Sequence, residues 1–168
     1  MLSYTMFTMD KIFLLLGTNR GDRTRNLRAA LAELRRNGIA IVKKSRVYQT
    51  RPWGKTDQPD FLNLALRVKT SLEPSELLQT LKGIERKMGR KKGPKWGSRL
   101  IDIDILFYDK RIMRTANLSI PHPYFEQRSF AIVPMAELAP NFVDPINAKK
   151  MKEYLPEIEH EGVEVYRR

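Results

Sequence analysis

Along residues 99–108, apolar side chains recur at every second position: Ile101, Ile103, Ile105 and Phe107. That period is the pattern of a β-strand with one buried face, and β-branched residues suit a pleated surface. Asp102 and Asp104 then share the opposite face. Aspartate is depleted in strands, and two like charges side by side repel. Two readings fit: a solvated strand face, or paired oxygen ligands for a cation such as Mg²⁺, completed by substrate phosphates.

The rest of the chain reads in order from the same alternation. Residues 1–10 carry little pattern and read as a leader, or as an extension of the first strand, ahead of one domain over residues 11–168. Residues 11–16 are an apolar run, read as a buried strand that ends in the turn-rich residues 17–22. Asp22 can cap a following helix with Leu27, Ala30, Leu31 and Leu34 as its stripe and Asn37-Gly38 as its end. A second strand is expected over 39–48, then a long proline-bearing loop to residue 60 that exposes Trp53. Residues 61–69 alternate: Leu62, Leu64, Leu66 and Val68 to one side, Phe61, Asn63 and Ala65 to the other. Residues 72–88 give a helix with Pro74 in its first turn and Leu77, Leu78, Leu81, Ile84 and Met88 as its buried stripe. Glu85, near its end, reads either as solvated or as reaching a substrate. A short strand at Ile112 and Met113, helices over 130–138 and 147–155, and a final strand or loose tail over 162–168 complete the pattern. His160 reads as surface.

Composition narrows the classes. The chain has 168 residues, 42% of them hydrophobic, enough for one domain with its own core. It lacks cysteine, which excludes a disulfide framework and thiolate metal sites. Lys and Arg number 31 against 19 Asp and Glu, a formal charge of +12. Such a surplus implies an anionic partner: nucleic acid, nucleotide or membrane surface. The apolar run at 12–16 is too short to span a membrane or to direct secretion, so a cytoplasmic protein is expected.

Chemistry-bearing residues cluster around the paired aspartates. Residues 86–99 hold seven cations, three glycines, a proline and a tryptophan, a loop that brings positive charge beside Asp102 and Asp104. Cations beside metal-bridged phosphates are what phosphoryl transfer requires. Phe61 and Asn63, two residues apart on a strand, could stack on and hydrogen-bond a flat heterocycle, or form an ordinary sheet face. His122, between Pro121 and Pro123, could meet phosphate oxygens or serve the fold. A basic nucleic-acid module would account for the charge but not for two aspartates facing a polyanion. A metal-dependent nucleotidyltransferase or nuclease would need a further carboxylate.

Several segments together resemble the 6-hydroxymethyl-7,8-dihydropterin pyrophosphokinase family of folate biosynthesis. They are Leu15-Leu16-Gly17-Thr18-Asn19, Tyr48-Gln49-Thr50-Arg51-Pro52-Trp53-Gly54, Asp57-Gln58-Pro59-Asp60-Phe61-Leu62-Asn63 and Ile84-Glu85 with Gly89-Arg90. Trp96-Gly97-Ser98-Arg99-Leu100-Ile101-Asp102-Ile103-Asp104-Ile105, and Ile120-Pro121-His122-Pro123 with Arg128 and Phe130, follow in the family's order. The resemblance implies an α+β, ferredoxin-like fold with a mainly antiparallel sheet packed against helices. It implies transfer of the β,γ-pyrophosphoryl group of ATP to the pterin hydroxymethyl, releasing AMP.

By the same resemblance, Asp102 and Asp104 would hold two Mg²⁺ ions, with Arg90 and Arg99 at the phosphates. Phe61 and Phe130 would sandwich the pterin, with Asn63 at its edge and Thr50, Trp53 and Trp96 beside it. Glu85, Ile105, Ser119, His122 and Arg128 would line the ATP site, and Lys92 would stand in for a second loop arginine. The expected partners are small molecules, with no nucleic acid or membrane, and the expected state is a monomer. Arg51 departs from the family pattern, where an uncharged or acidic residue is commoner. The leader and the tail after Pro145 fall outside the resemblance.

Overall fold

The computed structural model describes residues 9–52, 54–91, 97–159 and 162–167. Strand β1 (Met9–Thr18) leads into helix α1 (Arg23–Arg36), strands β2 (Ala40–Lys44), β3 (Tyr48–Thr50) and β4 (Phe61–Thr70), helix α2 (Pro74–Lys87) and strand β5 (Asp102–Tyr108). A small hairpin, β6 (Met113–Arg114) and β7 (Ser119–Ile120), precedes helix α3 (Ser129–Leu138), and β8 (Val163–Val165) comes last. The main sheet runs β5-β1-β4-β3-β8, with β2 also on β4, and every pairing is antiparallel. With β2 and β3, which both pair with β4, counted as one interrupted strand, the order is βαββαβ and ferredoxin-like. Among the described residues, no helix is long and apolar enough to cross a membrane. The expected leader boundary shifts, because residues 9 and 10 already belong to β1; residues 1–8 lie outside the described residues, as does His160.

Central position explains the apolar run in β1. Ile12, Leu14 and Leu16 face α1 and α2 in one core, with Leu62, Leu64, Leu66 and Val68 of β4 beside them. Phe13 and Leu15 face a second core with Ala65, Phe125, Ile132, Met135 and Tyr154 on the α3 side. Helix α1 starts where Asp22 Oδ1 accepts the Arg25 amide at 3.0 Å, and Gly38 beyond its end takes φ +74°. In α2, Leu77, Leu81 and Ile84 are buried and Leu78 and Met88 pack at the edge.

Three expectations are corrected. The strand over 39–48 is two strands, because Ser45 breaks it: its amide donates to Ala65 O at 2.9 Å while its Oγ accepts the Ala65 amide at 3.0 Å. The side chain thus supplies the acceptor that a regular ladder would take from the backbone. In β5 the alternation fails after Ile105. Leu14 pairs with Ile105 and Phe13 with Phe107, so Leu106 is an extra residue in a bulge, and Phe107 joins the second core instead of the first. The helix expected over 147–155 is a short 3-10 helix over Met151–Glu157, because residues 144–148 close a turn on Asp144, whose Oδ1 and carbonyl accept from Ile146 and Ala148. The tail resolves as β8, paired to β3.

Candidate active site

The C-terminal end of β1 lies between the starts of β4 and β5. Gly17 pairs with Asn63 on one side and Asp102 on the other, and Leu15 pairs with Ala65 and Asp104. Asn63, Asp102 and Asp104 therefore share one sheet face, the face covered further along by α3. Neighbouring strands are about 4.8 Å apart, so Asn63 and Asp102, two strands apart, stand ~10 Å from one another. Gly17 between them has no side chain; a Cβ there would come within 3.1 Å of Asn63 Oδ1 and 3.7 Å of the Phe61 ring. This opening is part of a cavity of about 260 Å³, whose walls include Thr50, Phe61, Asn63, Arg90, Arg99, Asp102, Asp104, His122, Arg128 and Phe130.

One wall is flat and neutral. Phe61 and Phe130, both half-buried, line the cavity from β4 and α3. Asn63 is buried, and its Nδ2 donates to Thr50 Oγ1 at 2.5 Å, so Thr50 enters through its hydroxyl and orients the amide. The Arg128 guanidinium lies 5.5 Å from the centre of the Phe130 ring and fixes that side of the wall.

The other wall is ionic. Arg90 Nη1 is 2.6 Å from Asp102 Oδ1, and Arg99 Nε is 3.7 Å from Asp102 Oδ2. Arg128 Nη1 and His122 Nε2 approach Asp104 Oδ2 to 3.8 and 4.0 Å. Burial raises both carboxyls above the ordinary aspartate range, and for Asp102 the charge of Asp104 adds to it. His122 moves the other way: burial, then the Arg128 charge, lowers its pKa to about 4, so its ring is neutral at pH 7. Its Nδ1 accepts the Tyr124 amide at 3.2 Å, and its Nε2 lies 3.4 Å from Arg128 Nη1 on the Asp104 side.

Glu85 is not solvated. It is 1% exposed, on the α2 stripe four residues after Leu81. Its Oε1 accepts the Ile103 amide at 2.8 Å, an N–H left open by the outer edge of β5, and both oxygens meet Lys82 Nζ at 3.1 and 3.2 Å. Its Oε2 also accepts from Arg90. Glu85 is thus a strut between α2, β5 and Arg90, and it is not among the cavity-lining residues. The Ile105 side chain is in the first core, and Ser119 lies in β7, away from the cavity walls. Trp53, Lys92 and Trp96 lie outside the described residues.

Three residues at the site escaped sequence reasoning. Gly17 read only as the start of a turn. Lys82 lines the cavity, and its position one helical turn before Glu85 was the available signal. Asn19 read as a loop residue but is 2% exposed and bonded to both loops that flank the cavity.

With this geometry in place, comparison with known proteins is specific. A profile of the 7,8-dihydro-6-hydroxymethylpterin-pyrophosphokinase (HPPK) family matches residues 13–140. A 2-amino-4-hydroxy-6-hydroxymethyldihydropteridine pyrophosphokinase of Aquifex aeolicus is 44% identical over 149 residues, covering 89% of this chain and 92% of its own. The mitochondrial folate synthesis bifunctional protein of Arabidopsis thaliana is 45% identical over 137 residues, 82% of this chain but only 25% of that longer protein. Among solved structures, Plasmodium falciparum HPPK-DHPS with pteroate superposes with a TM-score of 0.69 over 87% of this chain and 42% of its own, at 18% identity, a likeness of fold. The chain belongs to the 7,8-dihydro-6-hydroxymethylpterin-pyrophosphokinase family.

Proposed function

We propose that the flat wall of the cavity binds the pterin and the ionic wall binds the phosphates of ATP, so that the pterin hydroxymethyl faces the β-phosphorus. The chain transfers the pyrophosphoryl group of ATP to 6-hydroxymethyl-7,8-dihydropterin, a step of folate biosynthesis. The hydroxymethyl oxygen gives up its proton to solvent and forms a bond to the β-phosphorus, the bond from that phosphorus to the α–β bridging oxygen breaks, and AMP leaves. The observation that carries this reading is the register of Asn63 and Asp102 on either side of Gly17. It puts the Asn63 amide and the Asp102 carboxylate on one face, about two strand spacings apart, which supports a heterocycle beside the first and phosphates beside the second.

Phe61 and Phe130 would hold the ring between them and Asn63 would hydrogen-bond its edge, which removes the orientational freedom of the attacking hydroxymethyl. Arg90, Arg99 and Arg128 would meet the negative charge of the transferring group, with His122 beside them at the phosphates. Asp102 and Asp104, two residues apart on β5, both line the cavity. Two hard carboxylate donors fit magnesium entering with ATP, which, when bound, would screen the phosphates and polarise the β-phosphorus.

The test is incubation with ATP, Mg²⁺ and 6-hydroxymethyl-7,8-dihydropterin, followed by chromatography of the nucleotides. AMP that forms only with the pterin present is the expected result. ADP in its place would overturn pyrophosphoryl transfer, and unchanged turnover in EDTA would overturn the role given to the aspartates.

A further inference from the structure

Asn19 sits in the turn after β1, between the loop that precedes β4 and the segment that precedes β5. Both ends of its carboxamide and its backbone amide are committed. Its Nδ2 donates to Pro59 O and to Gln58 Oε1, both at 3.0 Å. Its Oδ1 accepts the Arg99 amide at 2.7 Å and the Ser98 hydroxyl at 3.2 Å, and its own amide donates to Arg99 O at 3.0 Å. One carboxamide therefore spans two loops that are some forty residues apart in sequence.

What these bonds hold is informative. Pro59 is two residues before Phe61, the aromatic of the flat wall. Gln58 is itself held, donating through Nε2 to Lys55 O at 2.6 Å. Arg99 has both its backbone N–H and its C=O bonded to Asn19, so the origin of the side chain that approaches Asp102 is fixed by this residue. An asparagine carries a donor and an acceptor on one short planar group; aspartate has only the acceptor and alanine neither.

We propose that Asn19 is the positioning residue that sets the two walls of the cavity against each other: its donor half places the pterin-side loop, and its acceptor half places the backbone of Arg99. This deepens the function proposed above and rests on its assignment of pterin to the Phe61–Asn63 wall and phosphates to the Arg99–Asp102 wall.

The two halves can be separated by substitution in the full-length chain. Asn19→Asp keeps the acceptor toward Arg99 and Ser98 but turns the donor into an oxygen facing Pro59 O and Gln58 Oε1. Asn19→Ala removes both. Steady-state kinetics with each substrate varied, and melting temperatures, are measured for both variants, with Asn63→Ala marking the pterin wall. Asn19→Asp is expected to raise the pterin KM by roughly tenfold, the equivalent of about one hydrogen bond, with the ATP KM within about twofold and kcat largely kept. Asn19→Ala is expected to add a fall in kcat of roughly tenfold or more, because Arg99 loses its anchor. If both variants lower kcat by one shared factor and leave both KM values unchanged, Asn19 only maintains the folded fraction and the proposal fails. If Asn19→Asp disturbs ATP as much as pterin, the division into halves fails. An Asn63→Ala variant with an unchanged pterin KM would instead refute the wall assignment, and this proposal with it.

Discussion

Gly17→Ala adds one methyl group at the point where the two walls of the site meet. Glycine is not needed there for its backbone, since Gly17 is an ordinary strand residue without positive φ. Its role is space. The new Cβ would be 3.1 Å from Asn63 Oδ1, several tenths of an ångström inside a comfortable contact. Asn63 cannot easily retreat, because it is 3% exposed and its Nδ2 is tied to Thr50 Oγ1 at 2.5 Å. The amide must tilt, and a displaced amide would lose most of the hydrogen bond proposed between Asn63 and the pterin, about 1–1.5 kcal/mol or roughly tenfold in affinity. Stability should move less: alanine gains about 0.5–1 kcal/mol over glycine in a strand, against an overpacking term of about 1–3 kcal/mol. Kinetics of Gly17→Ala should therefore show a pterin KM raised about tenfold, an ATP KM within about twofold and a melting temperature only slightly lowered. A double-mutant cycle with Asn63→Ala isolates the cause. If the methyl acts through Asn63, adding it to Asn63→Ala has little further effect. Full additivity, or an unchanged pterin KM in Gly17→Ala, would refute the reasoning.

Other perturbations separate the remaining roles. Asp104→Ala should abolish turnover in the AMP-release assay while circular dichroism stays native; surviving turnover would remove Asp104 from the reaction. Phe130→Ala should weaken pterin binding by about ten- to a hundredfold in calorimetry, as loss of a stacked aromatic does, and ATP binding far less, whereas equal losses would undo the sandwich. His122 gives a pH signature. Its folded pKa of about 4 lies below the unfolded value near 6.5, so the unfolded chain takes up a proton that the folded chain refuses. That contribution destabilises the fold progressively as pH falls from about 6.5 towards 4. His122→Gln should remove this loss, so its melting temperature should fall less than the wild type's between pH 7 and 5. Parallel curves would show that His122 titrates normally.

Local pattern was enough wherever one element's own residues decide its face. The Asp22 cap, the α2 stripe and the alternation of β4, with Phe61 and Asn63 opposite the leucines, needed no knowledge of neighbours. Paired Asp102 and Asp104 were legible as unusual for the same reason. Failures came where a partner strand decides. Leu106 looks like any apolar residue until β1 is placed beside β5, and only then does the register make it a bulge that sends Phe107 to the other core. Ser45 breaks a strand because Ala65 presents both its backbone groups there. Gly17 reads as a turn until β1 lies between β4 and β5, when it becomes the gap between Asn63 and Asp102.

Glu85 lies between these cases, and its lesson is physical. It follows Leu77 and Leu81 at four-residue intervals, so the helix period itself places a carboxylate on the buried stripe. Reading it as solvated follows the usual cost of burying a charge. That cost is offset here by partners from three directions: the Ile103 amide, Lys82 and Arg90. The edge position of β5 creates the need, since among the described residues no strand lies on its outer side to accept the Ile103 N–H. A charged residue on an apolar helical stripe, on a helix that packs against an edge strand, is therefore better read as an acceptor for that edge than as an error in the pattern. Here the same acceptor also takes Arg90, so the strut that closes the edge of the sheet also holds the arginine that meets Asp102.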